Sequence, residues 1–564
     1  MFVVKKRCNI PEAAVVLLLA LCSLSAKATP RQSELHQQAQ HKALLEQLMP
    51  VAPDVRLEPD TPGAKTSPVF TQESPCFHIS RIDIQGKENF PHWVPFSSWT
   101  QPVLNRCMGV TGISQLAGLI QEKLAAYGWT TTRVLVPGQA LSQGTLRLQI
   151  VAGRTGHVRL ASGSGDYIQL WNTLPVRHGQ LFDLRDIEQG MENLQRPSTV
   201  EASVQIVPGQ KPGESDIVIT RHQSGFWRAG LSMDDSGQRE TGRYQGTTTV
   251  WLDNPLSLSD TFFISGTHDL GFAGRRHSQS LSGYYAVPFG YWLWSISASE
   301  SDYAQTVAGF DVDTRYRGTQ KNLATQLSRV LYRNESQKNT LSYDVLTQEN
   351  RQYINDTETD VQRTTTSAWR IGFTHRHYMG SATLDAGVSW QRGTRWFGAQ
   401  PVPGEAFGDA TGLSKILTWH ADLNVPFSLA GQSFLFTTLY QRQMTHTPLT
   451  TFEQFSVGNR WTVRGFDGER TLAADNGWYT RNELVWQTPV PQQSLYIGLD
   501  YGAVSGHGTE FLPGRHLAGG VLGLRGSVGN TGLSYDLFTG CPLSKPDGFQ
   551  TSPVTTGFQV SWQI

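Results

Sequence analysis

Residues 417–425 read Leu417-Thr418-Trp419-His420-Ala421-Asp422-Leu423-Asn424-Val425, so that apolar and polar side chains alternate along the stretch. In an extended strand, successive side chains point to opposite faces, and the pattern therefore gives one apolar face and one polar face. A sheet of such strands fits a barrel whose outside contacts lipid and whose lumen holds water. The same alternation would also suit a soluble β-domain, because alternation alone does not identify the solvent.

Sixteen segments of this kind follow Phe226 along the chain. Two further clear examples place these apolar side chains on one face: Trp227, Ala229, Leu231 and Met233; Trp292, Trp294, Ile296 and Ala298. Short turns are predicted around residues 254–255, 288–290, 378–380, 426–427, 489 and 530, and they alternate with longer loops. We therefore predict a 16-stranded antiparallel transmembrane β-barrel over residues 223–564, with short periplasmic turns and long surface loops.

The first residues have the layout of a secretory signal. The positively charged start at residues 5–7 precedes an apolar run over residues 13–24, and Ala26-Lys27-Ala28 supplies a small-residue cleavage site. Cys22 would permit a lipoprotein signal instead, although the leucine before it is bulkier than such a cleavage site needs. We predict a signal peptide over residues 1–28.

Charge and hydropathy exclude two other classes of protein. The chain has 47 basic and 47 acidic residues, so no net field would draw it to nucleic acid, and no such partner is expected. No later segment approaches the roughly 20 uninterrupted apolar residues that a membrane helix requires. The sequence therefore argues against a helical membrane protein.

A helix and a linker are predicted before the first folded module. In the segment 29–49, residues 31–49 show weak amphipathic periodicity, and a helix over these 19 residues would be about 28 Å long, comparable to the thickness of a membrane. Such a helix could lie in a polar channel as a plug, or it could be solvated. Residues 50–75 are rich in proline and lack periodicity, which predicts an extended linker.

Two copies of a small α+β module are predicted between the linker and the barrel. Residues 76–153 have the order β-α-α-β-β, and the same order returns over residues 154–222, which indicates an internal repeat. The elements predicted for the first module are strands at His78–Gln85, Arg133–Val136 and Leu146–Val151 and a long helix at Ile113–Tyr127. Those predicted for the second are strands at His157–Ala161, Ala202–Val207 and Asp216–Ile219 and helices near Ile168 and at Asp183–Leu194.

Cys76 and Cys107 both lie in the first module, and in an oxidising periplasm we expect them to form a disulfide. Their spacing resembles neither a metal site nor a redox motif. No metal and no cofactor are therefore predicted.

The longest loop of the C-terminal third, at about residues 444–475, contains Val463-Arg464-Gly465-Phe466. An arginine between glycine and aromatic residues also occurs in ordinary surface turns. In the segment 495–503, however, the odd-numbered residues are apolar, so Asp500 is predicted to face the lumen. A loop folded into the pore could bring Arg464 to Asp500, and an arginine–carboxylate pair shielded from water is a strong anchor. Arg481 and Glu483 are also predicted to face the lumen and to extend this network.

These features together resemble the TpsB transporters of two-partner secretion, which belong to the Omp85 superfamily and whose small modules are POTRA domains. The resemblance covers the signal, the helix and linker, both modules, the barrel and the loop. It extends to Asp183-Leu184-Arg185-Asp186-Ile187-Glu188-Gln189-Gly190 and to Asn193-Leu194-Gln195-Arg196, which are similar to the second POTRA helix, and to Leu252-Asp253-Asn254-Pro255, which is similar to the first periplasmic turn. The family often has Tyr at the position of Phe466 and Phe at that of Gly498, and outer-membrane barrels often end in Phe where this chain has Ile564.

The resemblance implies a function and assigns roles to residues. Val463, Arg464, Gly465 and Phe466 would form the tip of a loop that enters the barrel, and Asp500 would receive Arg464. The protein would export a large TpsA-type exoprotein, an adhesin, haemolysin or contact-dependent inhibition toxin, across the outer membrane without ATP. Exposed POTRA strand edges, at Ala202–Val207 and Asp216–Ile219, would capture the client by β-augmentation. We expect a monomer whose barrel contacts outer-membrane lipid and whose modules lie in the periplasm.

Three rival functions are weighed against this interpretation. An Omp85-type insertase that assembles other outer-membrane proteins also has POTRA modules and an arginine-bearing loop. Two modules and the helix-linker start favour secretion, and a passive porin would need no periplasmic repeat. An enzyme is not predicted, because the scattered His, Ser and Asp residues form no local nucleophile or metal motif.

Overall fold

The structure is a computed structural model that describes residues 30–50, 53–57, 73–271, 276–307 and 313–564. The signal peptide predicted over residues 1–28 and the part of the linker at residues 58–72 lie outside the described residues. Among the described residues, no helix combines the length and the apolar character needed to span a membrane.

Sixteen antiparallel strands form a closed barrel, which confirms the predicted strand number. The strands are Trp227–Asp234, Gln245–Asp253, Thr261–Asp269, His277–Phe289, Trp292–Val307, Thr314–Arg333, Gln337–Ile354, Thr364–Met379, Ala382–Thr394, Lys415–Leu429, Gln432–Thr445, Asn476–Gln487, Gln493–Ser505, His516–Ser527, Leu533–Ser544 and Thr555–Gln563. The barrel closes where Gln559–Gln563 of the last strand pair with Gly230–Asp234 of the first. A two-residue strand, Thr357–Glu358, adds to the end of the seventh.

The side-chain alternation predicted from the sequence is present in the barrel wall. In the strand Gln493–Ser505, Leu495, Ile497 and Leu499 are exposed on the outer face, whereas Asp500 is buried toward the lumen. Because neighbouring side chains point to opposite sides of the sheet, the apolar residues face lipid and the polar residues line the interior.

The turn predicted at residues 426–427 is wrong. Pro426 lies within the tenth strand and pairs with Leu435, and the chain reverses after Leu429. Ala430 and Gly431 have φ angles of 50° and 74°, the left-handed conformation that suits a two-residue hairpin. The glycine, rather than the proline, therefore marks this turn.

The two α+β modules precede the barrel. In the first, the strands are Phe77–Ile79, Arg81–Gln85, Arg106–Met108, Arg133–Leu135 and Thr145–Val151, and the α-helices are Phe96–Thr100 and Val110–Ala126. In the second, the strands are Arg154–Leu160, Val200–Pro208 and Glu214–Gln223, and the helices are Leu170–Thr173 and Leu184–Leu194. The strand predicted at His78–Gln85 is divided at Ser80, because its first part pairs with Arg106–Met108 and its second part pairs with Thr145–Val151.

One predicted strand edge is wrong. Asp216–Ile219 lies in the central strand of the second module, Glu214–Gln223, which pairs on one side with Arg154–Leu160 and on the other with Val200–Pro208. Its main-chain N–H and C=O groups therefore form hydrogen bonds within the sheet, so this strand offers no free edge to a client. The segment Ala202–Val207 does lie in an edge strand, as predicted.

A disulfide joins Cys76 to Cys107, with the Cα atoms 5.3 Å apart, which confirms the predicted bond. It lies beside the pairing of Phe77–Ile79 with Arg106–Met108. The helix Val110–Ala126 contributes to the core of this module, and its large buried residues follow a helical spacing on the face toward the sheet. These residues are Ile113, Leu116, Ile120 and Leu124.

Candidate functional site within the barrel lumen

The loop between the eleventh and twelfth barrel strands, residues 446–475, packs into the barrel interior. Two short strands within it, Phe455–Val457 and Leu472–Ala474, pair with each other and give the loop a rigid base. The predicted tip, Val463 to Phe466, lies between these strands in the sequence. Val463 and Phe466 are fully buried, so the tip is packed inside the protein.

Arg464 binds Asp500 through three hydrogen bonds. Its Nε donates to Oδ2 at 2.7 Å, its Nη2 donates to Oδ1 at 2.9 Å, and its backbone N–H donates to Oδ2 at 3.0 Å. Both side chains are almost completely buried. A paired charge with bidentate geometry satisfies the buried carboxylate and fixes the direction of the guanidinium.

A second carboxylate extends the network from the neighbouring strand. Glu483 accepts from Nη1 of Arg464 at 2.6 Å and lies 2.7 Å from Nη2 of Arg525. Arg525 also stacks over the ring of Tyr496, 4.0 Å from its centroid. The sequence did not point to Arg525 or Tyr496. Strand alternation shows which side chains face inward, but it does not show which of them contact each other.

Arg481 binds the loop in a different way from the one predicted. Its Nη1 donates to the backbone carbonyl of Trp461 at 3.0 Å. The arginine therefore holds the loop backbone rather than a carboxylate, and it supports the loop just before the tip.

Two glycines make room for the tip. Gly465 has a φ of 94°, and a Cβ there would lie 2.5 Å from the carbonyl oxygen of Cys541. A Cβ at Gly498 would lie 2.5 Å from Nη2 of Arg464. Gly498, one of the positions at which this chain departs from the TpsB pattern, thus leaves space for the guanidinium.

Apolar contacts surround the charged anchor. Phe466 packs against Phe549 with the ring centroids 5.9 Å apart and nearly perpendicular planes. The cluster of buried side chains inside the barrel consists of Phe455, Val457, Val463, Phe466, Leu472, Ala474, Tyr479, Val504, Leu517 and Phe549. This small core excludes water from the arginine–carboxylate pairs, which strengthens them.

The α-helix Pro30–Leu48 lies in the lumen beside the loop. Ser33 donates to Gln305 of the barrel wall at 2.9 Å, and Nε2 of His36 lies 2.7 Å from the carbonyl oxygen of Ser236. Gln32 accepts from the backbone N–H of Thr471 in the loop at 2.8 Å. The helix is thus bound both to the wall and to the loop.

The fit between the helix and the wall is incomplete. A cavity of about 440 Å³ remains beside the helix, lined by its residues and by polar residues of the wall and the loop. Toward its C-terminal end, Lys42 and Glu46 are exposed and lie 3.9 Å from each other. The binding contacts are therefore concentrated in the N-terminal half of the helix.

A buried ion-pair network joins the second module to the barrel. Arg333, the last residue of the sixth barrel strand, lies 3.3 Å from Glu188 and 3.1 Å from Glu192 of the helix Leu184–Leu194. Its Nη2 also donates to the carbonyl oxygen of Val55 at 2.9 Å, in the chain segment that follows the lumen helix. The guanidinium thus connects three parts of the molecule.

Comparison with known proteins agrees with this arrangement. Residues 213–526 match the family model described as haemolysin secretion/activation protein ShlB/FhaC/HecB. The chain belongs to this family. Models of a ShlB-type POTRA domain and of a POTRA domain match residues 77–153 and 154–208 respectively.

Relatives of the ShlB/FhaC/HecB family are similar over most of their length. The outer membrane transporter CdiB-2 of Burkholderia pseudomallei (strain 1026b) is 34% identical, with 98% of this chain and 99% of the relative covered. The hemolysin transporter protein HpmB of Proteus mirabilis is 25% identical, with 78% of each chain covered. The solved structure of CdiB from Escherichia coli matches with a TM-score of 0.83 and 25% identity, covering 96% of this chain and all of that one.

Membership of the ShlB/FhaC/HecB family separates the exporter from the assembly factor. The protein is an outer-membrane transporter of the two-partner secretion type, with a barrel in the outer membrane and POTRA domains in the periplasm. The family match favours export of an exoprotein over assembly of other membrane proteins.

Proposed function

We propose that this transporter exports a large contact-dependent inhibition toxin through its barrel, and that the lumen helix is a removable plug while the loop is a fixed anchor. The observation that carries the proposal is the different chemistry of the two lumen segments. The helix is held mainly by hydrogen bonds of polar side chains, whereas the loop tip is held by buried ion pairs.

The composition of the helix supports its removal. Few of its side chains are apolar, and Leu35 is its one fully buried apolar residue among residues 31–48. A polar helix loses little hydrophobic stabilisation when it leaves the lumen for water. Each neutral hydrogen bond that breaks costs only about 0.5–1.5 kcal/mol, because water replaces the partner.

The loop would be far harder to displace. Pulling Arg464 away would leave the buried Asp500 without its cation, while Glu483 would keep only Arg525, and breaking a buried pair of this kind costs about 3–5 kcal/mol. The loop would therefore stay in place while the helix leaves, and the space beside it would become the export path.

The edge strand Val200–Pro208 is the proposed capture site in the second module. Its outer main-chain groups have no strand partner within the described sheet, so an extended client can pair with it. Main-chain pairing requires little sequence specificity. This property suits a long unfolded client whose segments differ in sequence.

Export would proceed without nucleotide hydrolysis. The sequence has no Gly-rich phosphate loop with Lys and Ser/Thr, and we assign the chain no enzymatic step. Folding of the client outside the cell would make its return unfavourable. The higher identity to a CdiB transporter than to a hemolysin transporter favours a toxin over a haemolysin as the client.

Deletion of residues 31–48 tests the plug. In planar bilayers the shortened protein should conduct more than the full chain, because the helix no longer occupies the lumen. The control is Asp166→Asn, at an exposed position of the second module away from the lumen, which should leave conductance unchanged. Equal conductance of the deletion variant and the full chain would contradict the plug.

Removal of the whole protein from the cell tests the exporter. Secretion of one large partner exoprotein should stop, while the other outer-membrane proteins keep their normal levels. A general loss of outer-membrane proteins would instead indicate an assembly factor.

A further inference from the structure

Exposed aromatic side chains of the second module lie beside those of the barrel's periplasmic rim. Trp171 and Tyr167 of the module are 65% and 58% exposed. Phe289 and Phe226 at the rim are 56% and 44% exposed. Large aromatic side chains are seldom left in water in such a group, so this surface has a partner.

Hydrogen bonds around Asn172 hold the second module against the rim of the barrel. The Nδ2 of Asn172 donates to the carbonyl oxygens of Leu258 at 2.8 Å, in the turn after the second strand, and of Pro288 at 3.1 Å, near the end of the fourth strand. The N–H of Gly290 donates to the carbonyl oxygen of Asn172 at 2.6 Å. Since Asn172 is fully buried, the exposed Trp171 beside it is held in a defined place.

Trp171 lies on the outer side of the barrel wall. In the strand His277–Phe289, Leu281 and Phe289 belong to the alternate set that faces outward, and both are exposed. The ring of Trp171 packs edge-on against that of Phe289, with the centroids 5.8 Å apart. The module's tryptophan therefore continues the lipid-facing surface of the barrel.

A second aromatic contact lies where the chain passes from the module into the barrel. The rings of Tyr167 and Phe226 pack edge-on at 5.0 Å. Phe226 directly precedes the first strand, which begins at the exposed Trp227. Tyr167 thus contacts the chain beside the rim of the barrel.

The outer face of the barrel at this height carries the kinds of side chain that contact lipid headgroups. Trp292, the first residue of the next strand, is exposed on the outer face and pairs in register with Arg329. The guanidinium of Arg329 stacks over the ring of Trp292 at 5.0 Å. Tryptophan and tyrosine collect at membrane–water interfaces, where cationic side chains meet lipid phosphates.

We propose that residues 167–171 of the second POTRA domain are seated in the headgroup layer of the periplasmic leaflet, with phospholipid as their partner. Continuity with the barrel's lipid-facing rim selects the bilayer over the exoprotein or a second copy of the chain. The contact would hold the domain at a fixed height beneath the pore. It does not depend on which client is exported.

Spin labels on the full-length protein test the depth of Trp171. Trp171→Cys is labelled in a Cys541→Ser background and reconstituted in nanodiscs of phosphatidylethanolamine and phosphatidylglycerol. The control is Trp93→Cys in the first module, since Trp93 is 60% exposed and packs against Tyr127 and Trp129 of its own module. The label at 171 should show a several-fold higher ratio of oxygen to nickel-chelate accessibility than the label at 93.

A second measurement uses the native side chain. Brominated phospholipids should quench the fluorescence of the wild-type protein more than that of Trp171→Ser, whereas Trp93→Ser should remove only unquenched emission.

Three results would overturn the proposal. Equal accessibility of the labels at 171 and 93 would exclude lipid contact. Spin–spin broadening at 171 would identify a second copy as the partner. Nickel access that is lost only when the exoprotein is added would identify the client.

Discussion

Arg464 joins the loop to the barrel wall through charge. It binds two carboxylates from neighbouring strands, and Arg525 contributes a second positive charge to the same group. The wall supplies both acids and the loop supplies one of the cations, so opposite charges hold the loop tip against the wall.

Arg464→Ala should abolish export while the barrel still inserts in the membrane. The substitution leaves Asp500 buried without its cation, while Glu483 keeps Arg525, and the loss of the Asp500 pair costs about 3–5 kcal/mol and releases the loop. Export is measured as partner exoprotein in the medium, and insertion as heat-modifiable mobility on gels.

Arg376→Ala is the matched control for this substitution. Arg376 binds Asp385 in the barrel wall at 2.6 Å, in a pair that is only partly buried and does not include the loop. Export should persist in that variant. Normal export by Arg464→Ala would contradict the anchoring role.

The sequence predicted part of this anchor. Alternation in the segment 495–503 placed Asp500 in the lumen, and the structure places Arg464 against it. Arg525 could not be predicted, because its meeting with Glu483 depends on which residues of separate strands lie side by side. A period-2 pattern shows on which face of the sheet a side chain lies, but it does not show which residue of the adjacent strand lies beside it.

At the scale of elements, the helix Leu184–Leu194 links the second POTRA domain to the barrel. Asp183 caps its first turn by accepting from the backbone N–H of Arg185 at 2.8 Å. Burial, and next the charge of Asp186, raise the pKa of Asp183 to about 7. The cap is therefore protonated in the folded protein under conditions where it would be ionised in the unfolded chain.

This difference predicts a pH dependence of the helix. Because the folded pKa is raised, the folded state retains a proton between about pH 4 and 7 that the unfolded state has lost, and stability falls as the pH rises through this window. Asp183→Asn keeps a capping side chain without the charge and should flatten the dependence. Hydrogen exchange of the helix amides at pH 5 and pH 7, corrected for intrinsic rates, measures it. Asp166→Asn, at an exposed position of the same module, should keep the wild-type slope.

Arg333→Ala should loosen the same helix from the barrel. It removes the cation shared by Glu188 and Glu192, whose side chains are only 1% exposed. Because Glu188 keeps Arg185 and Glu192 keeps Lys338, the expected cost is about 1.5–3 kcal/mol. Faster hydrogen exchange over residues 184–194 would report it. Lys211→Ala breaks an exposed pair with Glu214 in the same domain and should leave exchange unchanged. Unaltered exchange in Arg333→Ala would show that the junction does not depend on this network.

The sequence predicted the presence of the helices and strands better than it predicted which strands pair and where the chain reverses. Helical and strand periodicities located both modules and the barrel strands, because each pattern is local. The position of Asp216–Ile219 at the centre of its sheet, and the reversal at Gly431 rather than Pro426, depend on pairing and backbone angle. Neither property can be read from one segment alone.

At the scale of the whole molecule, a series of contacts connects the loop, the lumen helix, the barrel wall and the second POTRA domain. The lumen helix binds the loop, the segment that follows it binds Arg333, and Arg333 binds the second POTRA domain. Withdrawal of the helix would therefore act on the junction that holds the domain. The sequence could not show this, because the residues involved are separated by more than 100 positions.

A reversible cross-link between the helix and the wall tests the central claim most directly. Ser33 and Gln305 are in side-chain hydrogen-bond contact at 2.9 Å, so a reducible bifunctional methanethiosulfonate reagent can bridge Ser33→Cys and Gln305→Cys across the space left by the glutamine side chain and hold the helix in the lumen. The cross-linked double variant should not export the exoprotein, and reduction should restore export, while the wild-type protein and Ser33→Cys alone export with and without the reagent. Full export by the cross-linked protein would contradict the account.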